Sequence, residues 1–169
     1  MIIDLASVGT SPKPLAARFA PAEIDLDNEG KLTSDAALSG EIFSRDGKVH
    51  VDASISADVS LVCTRCLEPI ARHLEFRFDD IFVDSEQESS REESELAAEE
   101  LDESLVIGGE INLADVVREQ ILLALPEQIF CNEDCKGLCP KCGGNRNLID
   151  CNCDKEEIDP RWAALRDLK

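Results

Sequence analysis

From Val49 to Leu61 the chain alternates without a break. Val49, Val51, Ala53, Ile55, Ala57, Val59 and Leu61 are apolar, and His50, Asp52, Ser54, Ser56, Asp58 and Ser60 between them are polar. A period of two places successive side chains on opposite faces of an extended strand, so this stretch predicts a strand with one buried and one wet face. Its neighbours follow the same rule. Ala36, Leu38, Gly40 and Ile42 alternate ahead of it, and Asp46-Gly47 supplies hairpin-turn chemistry. Ile70, Leu74, Phe76, Phe78 and Phe82 continue the pattern beyond Cys63-Thr-Arg-Cys66-Leu-Glu-Pro69. The expectation is a three-stranded antiparallel meander whose second turn carries an isolated Cys-x-x-Cys pair.

Around this centre the signals are shorter. Residues 1–8 suit a first strand. Residues 9–35, with Pro12, Pro14, Pro21 and Gly30, read as loop with a short strand near Ile24–Leu26. Residues 105–111 read as a short edge strand. An amphipathic helix starts near Leu113, with Leu113, Val116, Val117, Ile121, Ala124 and Leu125 on or near one face; Asn112 can cap it and Pro126 marks its end. This helix is expected to cover the apolar face of the sheet. Near the end of the chain, Asp159-Pro-Arg-Trp162-Ala-Ala-Leu165-Arg-Asp-Leu168 has an N-cap residue, a proline at the first helical position and an apolar row. The predicted fold is α+β: an antiparallel β-meander covered by an amphipathic helix, then a small cysteine-rich zinc-knuckle module and a short terminal helix. The body is placed at 1–126 and the cysteine-rich module at 127–169.

Six of the eight cysteines fall between Cys131 and Cys153. A short loop with no apolar run cannot order itself by burial, so something covalent or coordinative must do it, with zinc the leading candidate. Cys139-Pro-Lys-Cys142-Gly143 is a metal-knuckle sequence, in which backbone N–H groups can point at the sulfurs and the glycine can take a positive φ. A structural zinc takes four ligands, usually as two pairs. The first choice is Cys139, Cys142, Cys151 and Cys153. Cys131 and Cys135 could replace either pair or form a further half-site. Two four-thiolate sites are feasible only if Cys63 and Cys66 come near. Lys136, Lys141 and Arg146 would offset the negative charge of such a site and help hold its thiolates.

The formal net charge of −19 is unevenly spread. Residues 84–130 hold fourteen acidic and two basic side chains, a net of −12, whereas 131–169 are close to neutral. The run 84–104 reads as a solvated, flexible acidic loop, or as a site that attracts a basic partner. Aromatic residues are 4% of the chain and tyrosine is absent, so the core must be mostly aliphatic. No segment approaches the ~20 apolar residues that span a bilayer, and the N-terminus lacks a basic n-region. A cytoplasmic setting is expected, where cysteine pairs read as metal or redox sites rather than disulfides. No membrane and no small-molecule substrate is expected as a partner. Nothing resembles an enzyme site: there is no phosphate-binding glycine loop, no nucleophile elbow and no HExxH. His50 and His73 read as surface residues. Strands on both sides of Cys63/Cys66 argue against a thioredoxin-type site, which needs a βαβ setting.

Four motifs then coincide in order: Cys63-Thr-Arg-Cys66-Leu-Glu-Pro; Glu110-Ile-Asn-Leu-Ala-Asp-Val-Val-Arg-Glu-Gln-Ile-Leu-Leu-Ala-Leu-Pro126; Cys135-Lys-Gly-Leu-Cys-Pro-Lys-Cys-Gly-Gly-Asn-Arg-Asn with Cys151-Asn-Cys153; and Asp159-Pro-Arg-Trp-Ala-Ala-Leu. Together they resemble the YceD family of large ribosomal RNA subunit accumulation proteins, over roughly residues 36–169. Arg146 departs from that pattern, standing where an aliphatic residue is expected. The resemblance implies a non-enzymatic, cytoplasmic ribosome-biogenesis factor that supports the processing, stability or accumulation of large-subunit (23S) rRNA. Two modes of contact follow. One is with rRNA through Arg65, Arg72, Arg77, Lys136, Lys141 and Arg146. The other is with a basic ribosomal protein held against the acidic run, which the overall charge favours. The alternative is a cytosolic thiol redox or metal-handling protein that uses its Cys-x-x-Cys pairs. A zinc-ribbon transcription factor comes third, because the acidic balance opposes it.

Overall fold

Strand β5 (Lys48–Val62) is the axis of the molecule. In the computed structural model, which describes residues 1–85, 103–153 and Arg161, every odd residue from Val49 to Leu61 is buried and no even one is. Among the described residues the chain is mostly β-sheet with one α-helix and a cysteine-rich C-terminal part. Eight strands are described: β1 (Ile2–Asp4), β2 (Lys13–Phe19), β3 (Gly30–Leu32), β4 (Ala36–Arg45), β5, β6 (Pro69–Asp84), β7 (Glu103–Val106) and β8 (Glu110–Asn112). The helix is α1 (Leu113–Ala124).

β4, β5 and β6 pair antiparallel in chain order. The first hairpin turns through Asp46 and Gly47, both at positive φ, as a two-residue type I′ connection requires. β6 accompanies β5 along almost its whole length, from Val49 opposite Phe82 to Val62 opposite Pro69. β4 covers only the first half of the other edge. β3 takes over that edge further along, with Leu32 opposite Val59. β2 lies outside β4, and β7 joins β6 in parallel, giving the order β2-β4-β5-β6-β7 with β3 on β5. A separate two-stranded pair, β1 with β8, sits at the start of the helix.

Several expectations need correction. Residues 9–35 hold two strands, β2 and β3, rather than one near Ile24–Leu26; those two residues are buried without being extended in a sheet. The first strand stops at Asp4, whose carboxylate accepts from the Ala6 N–H and turns the chain into a short 3-10 segment. The edge strand of 105–111 is two strands, β7 and β8, divided where Gly108 adopts φ 77°. Most of the acidic run 84–104 and all of the helix expected over 159–168 lie outside the described residues, Arg161 apart.

Helix α1 begins at Asn112, whose side chain accepts from the Ala114 N–H and donates to Asp115. It buries Leu113, Val116, Val117 and Ile121 in the same core as the inward residues of β2, β4, β5 and β6. Arg118 ties it to the loop before β3, donating to the Asp25 carbonyl at 2.6 Å and pairing with Asp27. The core that β5 shares with the helix reaches Leu61, and just beyond it the far end of the β5–β6 hairpin carries the first cysteine pair.

Candidate metal centres

Cys63 keeps the inward parity of β5 and is fully buried. Beyond it the chain makes a tight turn. The Leu67 N–H donates to the Cys63 carbonyl at 2.9 Å, and the Cys63 N–H to the Glu68 carbonyl at 2.9 Å. The same two bonds recur at the second knuckle: Gly143 N–H to Cys139 carbonyl at 2.8 Å, and Cys139 N–H to Gly144 carbonyl at 2.8 Å. Gly143 has φ 71°, and Leu67 occupies the matching position with φ 63°. A leucine pays a steric penalty in this region of about 1 kcal/mol. Leu67→Gly is therefore expected to raise the stability of the metal-loaded chain by about 0.5 kcal/mol, after allowing for the added freedom of glycine in the unfolded chain. Thermal unfolding checks this; a lower Tm would show that the Leu67 side chain, 62% exposed, is held by something other than the turn.

The eight cysteines gather into two groups of four, Cys63/Cys66/Cys131/Cys135 and Cys139/Cys142/Cys151/Cys153, with the sulfurs of each group within 4.8 Å of one another. Each group could hold a metal ion. The second is the set of four chosen first from the spacing. Cys131 and Cys135 do not replace one of its pairs; they are half of a further group that Cys63 and Cys66 complete at the hairpin turn, the condition on which two groups of four depended. In that inner group Cys63 Sγ lies 3.8 Å from Cys135 Sγ, and Cys66 Sγ 3.7 Å from Cys131 Sγ. Four sulfurs at 2.3 Å from a central ion stand about 3.8 Å apart, whereas a disulfide needs about 2.05 Å. All eight thiols are free.

The electrostatics are those of sulfur ringed by amides. Burial opposes ionisation of Cys63, but N–H groups of Cys66, Arg65 and Cys131 aimed at its sulfur outweigh it and bring the thiol down to about 6. At Cys139 the N–H groups of Cys142 and Lys141 do the same, again to about 6. Their neighbours move the other way. The Glu68 N–H favours the thiolate of Cys66, yet burial and the sulfurs of Cys63, Cys135 and Cys131 push it up to about 12. Bonds to Cys142 and Cys139 push Cys153 up to about 12. Cys135 is the exception in the inner group: burial opposes its ionisation, but the Asn147 amide and the Gly137 N–H outweigh it and hold the thiol below its ordinary range. Four thiolates in one cluster still require a cation among them.

Three side chains that sequence reasoning passed over support the inner group. Asn132 Nδ2 donates to Cys131 Sγ at 3.4 Å, and Asn147 Nδ2 to Cys135 Sγ at 3.3 Å. Asn147 Oδ1 also accepts from the Lys136 N–H at 2.8 Å. Phe130 stacks under the Arg65 guanidinium at 3.9 Å. Part of the signal was present: Cys63 continues the odd-residue rule, and Asn147 ends the Gly143-Gly-Asn-Arg-Asn147 stretch of the third motif, whereas nothing in the sequence marks Asn132 or Phe130.

The stretch that holds all eight cysteines and α1 is also the stretch that a family model matches. The family model described as large ribosomal RNA subunit accumulation protein YceD matches residues 51–169. The chain belongs to the YceD family. An uncharacterized protein of Mycobacterium tuberculosis is 30% identical over 182 residues, covering 98% of this chain and 79% of its own length. The uncharacterized protein YlbN of Bacillus subtilis is 28% identical over 152 residues, covering 86% of this chain and 84% of its own. A chloroplastic protein of Arabidopsis thaliana, named large ribosomal RNA subunit accumulation protein YCED homolog 1, is 24% identical over 153 residues, 78% of this chain and 48% of that protein. No solved structure matches.

The cations singled out in this YceD-family chain divide into two sets. Arg77 makes a two-pronged pair with Asp52 at 2.8 and 2.7 Å, which holds the Asp52 carboxyl below its ordinary range. Arg65 donates to the Cys135 carbonyl at 3.2 Å. Arg72, Lys136, Lys141 and Arg146 are exposed and form no ion pair among the described residues. His73 bonds to Asp58 at 2.8 Å, and His50 stacks on Phe43. No helix among the described residues is long and apolar enough to cross a membrane.

Proposed function

We propose that this YceD-family chain is a non-enzymatic, cytoplasmic ribosome-biogenesis factor that supports the processing, stability or accumulation of large-subunit (23S) rRNA. The observation that carries the reading is the family match over residues 51–169, together with the plant relatives' name, which concerns accumulation of the large ribosomal RNA subunit. The direct partner we propose is a basic ribosomal protein. Fourteen acidic side chains against two in residues 84–130 favour a cationic partner, and a net charge of −19 repels RNA at long range. Of the six cations considered for RNA, Arg65 and Arg77 are already engaged within the fold. The exposure of Arg72, Lys136, Lys141 and Arg146 favours a second reading, local contact with the rRNA backbone around the cysteine-rich end.

The metal is zinc, held for structure by Cys139, Cys142, Cys151 and Cys153. An all-sulfur set suits zinc rather than a hard cation, and four protein ligands leave no open position for a substrate. The body-and-module division at residue 126 is part of the same proposal.

Depletion of the protein in a cell that makes it, followed by profiling of rRNA, tests the function. Large-subunit rRNA precursors are expected to accumulate while small-subunit rRNA stays normal. Complementation with a chain whose acidic residues between 84 and 103 are changed to amides is expected to fail. Normal precursors on depletion would overturn the reading; full rescue by the neutralised chain would overturn the basic-protein contact and leave the rRNA contact.

A further inference from the structure

The ligands of the inner cysteine group come from two parts of the chain. Cys63 and Cys66 close the β5–β6 hairpin, whereas Cys131 and Cys135 follow helix α1. Around them the two parts are laced by backbone: the Thr64 N–H donates to the Ile129 carbonyl at 2.8 Å, and the Leu138 N–H to the Arg65 carbonyl at 2.9 Å. A Cβ on Gly137 would stand 3.0 Å from the Arg65 carbonyl oxygen, so the module approaches the hairpin as closely as backbone allows. Asn145 adds a bond to Glu68 at 3.2 Å. The apolar contribution is small. Ile70 is the sole partly buried hydrophobic residue packed against the cluster of Cys63, Cys66 and Cys135 among the described residues.

Three observations agree on a ligand for this junction. The 63–68 turn repeats the backbone bonds of the 139–144 knuckle although it lacks the glycine. The 3.8 and 3.7 Å distances that link the two cysteine pairs match the edges of a tetrahedron around one ion, not disulfides. Amide donors from Cys131, Asn132 and Asn147 are aimed at the sulfurs, the outer-shell arrangement that steadies metal-bound thiolates. Asn147 lies between Cys142 and Cys151, on the loop that the outer group closes, yet its amide reaches Cys135 of the inner group.

We propose that Cys63, Cys66, Cys131 and Cys135 bind a second zinc ion that fastens the knuckle module to the end of the β5–β6 hairpin, with Asn147 coupling the outer site to the inner one. The inner ion is a staple between segments distant in the chain. The outer ion orders the loop that presents Asn147, so emptying the outer site loosens the inner. Asn147 is a positioning residue and touches no metal. The proposal is independent of the ribosomal role and shares with it only the identity of the metal.

Zinc content of the purified full chain tests it. The wild type is expected to carry two zinc ions, and Cys66→Ser one. Asn147→Ala is expected to keep both, but to surrender one of them to a chromophoric chelator about tenfold faster. If Cys66→Ser does not accumulate, cobalt substitution of the wild type serves instead, with two equivalents giving tetrahedral thiolate absorption about twice that of Cys142→Ser. One zinc per wild-type chain, an undiminished zinc content in Cys66→Ser, or a disulfide within the inner group would overturn the staple. An unchanged release rate in Asn147→Ala would overturn the coupling. A wild type with one zinc that Cys142→Ser removes would leave the outer site standing and the inner one refuted.

Discussion

Chelation of the metal is expected to release residues 131–153 while the sheet stays folded. The two parts of the chain are held by different forces. The apolar core draws on β2 to β6, β8 and α1, and the last residue packed against it is Ile129. Between Cys131 and Cys153 the buried residues are Cys135, Gly137 and Cys139. Of the three large aliphatic side chains there, Leu138 is half-buried and Leu148 and Ile149 are 76% and 49% exposed. Ordering each residue costs about 1–2 kcal/mol of backbone entropy, and this stretch has little apolar burial to set against it. Structural zinc supplies about 10–16 kcal/mol per site at neutral pH, the one contribution of sufficient size.

Hydrogen exchange before and after addition of a strong chelator reads the outcome residue by residue. Protection of amides in 131–153 is expected to vanish, and all eight thiols to become reactive, while β4, β5, β6 and α1 keep theirs. Surviving protection of Cys139, Gly143 and Arg146, whose N–H groups bond within the knuckle, would show that the module folds without metal. Acid is expected to mimic the chelator. Ligand thiolates compete with protons for the ion, so metal affinity falls as pH falls and the same amides open. Restoring pH with zinc present should close them again.

The legibility of this chain followed the strength of its local signals. β5 could be read residue by residue because thirteen positions obey one period and each odd one is buried. The helix could be read because Asn112, Asp115 and Pro126 mark ends that its apolar face alone leaves blurred. β2 was hidden by prolines. It tolerates Pro14, opposite Glu41, because an edge strand needs only one of its two rows of bonds. β3 is three residues long and exists because β5 extends past β4, a tertiary fact with no local pattern. Ile24 and Leu26, expected near a short strand, are instead buried in the core they share with the helix, on a loop that Arg118 holds through the Asp25 carbonyl. At the cysteines, the outer set of four could be chosen from spacing, since its two pairs are neighbours in the chain. The inner set joins pairs that 65 residues separate between Cys66 and Cys131. Its knuckle was further masked because Leu67, not glycine, takes the positive φ.

Gly40→Val is expected to be the most damaging single apolar substitution in the sheet. β4 lies between β2 and β5, and Gly40 pairs with Leu15 on one side and Ala53 on the other. A Cβ at this position would stand 2.2 Å from the Asp52 carbonyl oxygen and 2.5 Å from the Ala53 Cα. Both are backbone atoms of the central strand, so no rotamer change makes room. Relief requires β4 to move away from β5, which stretches the ladder bonds that place Leu38 and Ile42 in the core. Overpacking a core costs about 1–3 kcal/mol where side chains can yield, and more where backbone must. A loss of about 3–5 kcal/mol follows, or about 10 °C in Tm for a chain of this size. Ser39→Val, next along the same strand but on its exposed face, adds the same β-branched bulk and should cost less than about 1 kcal/mol. The comparison separates steric intrusion from strand propensity, because valine favours a strand in both cases. Equal stability of the two variants would mean that β4 and β5 do not approach as described, and the register that carries Cys63 inward to the hairpin end would fall with it.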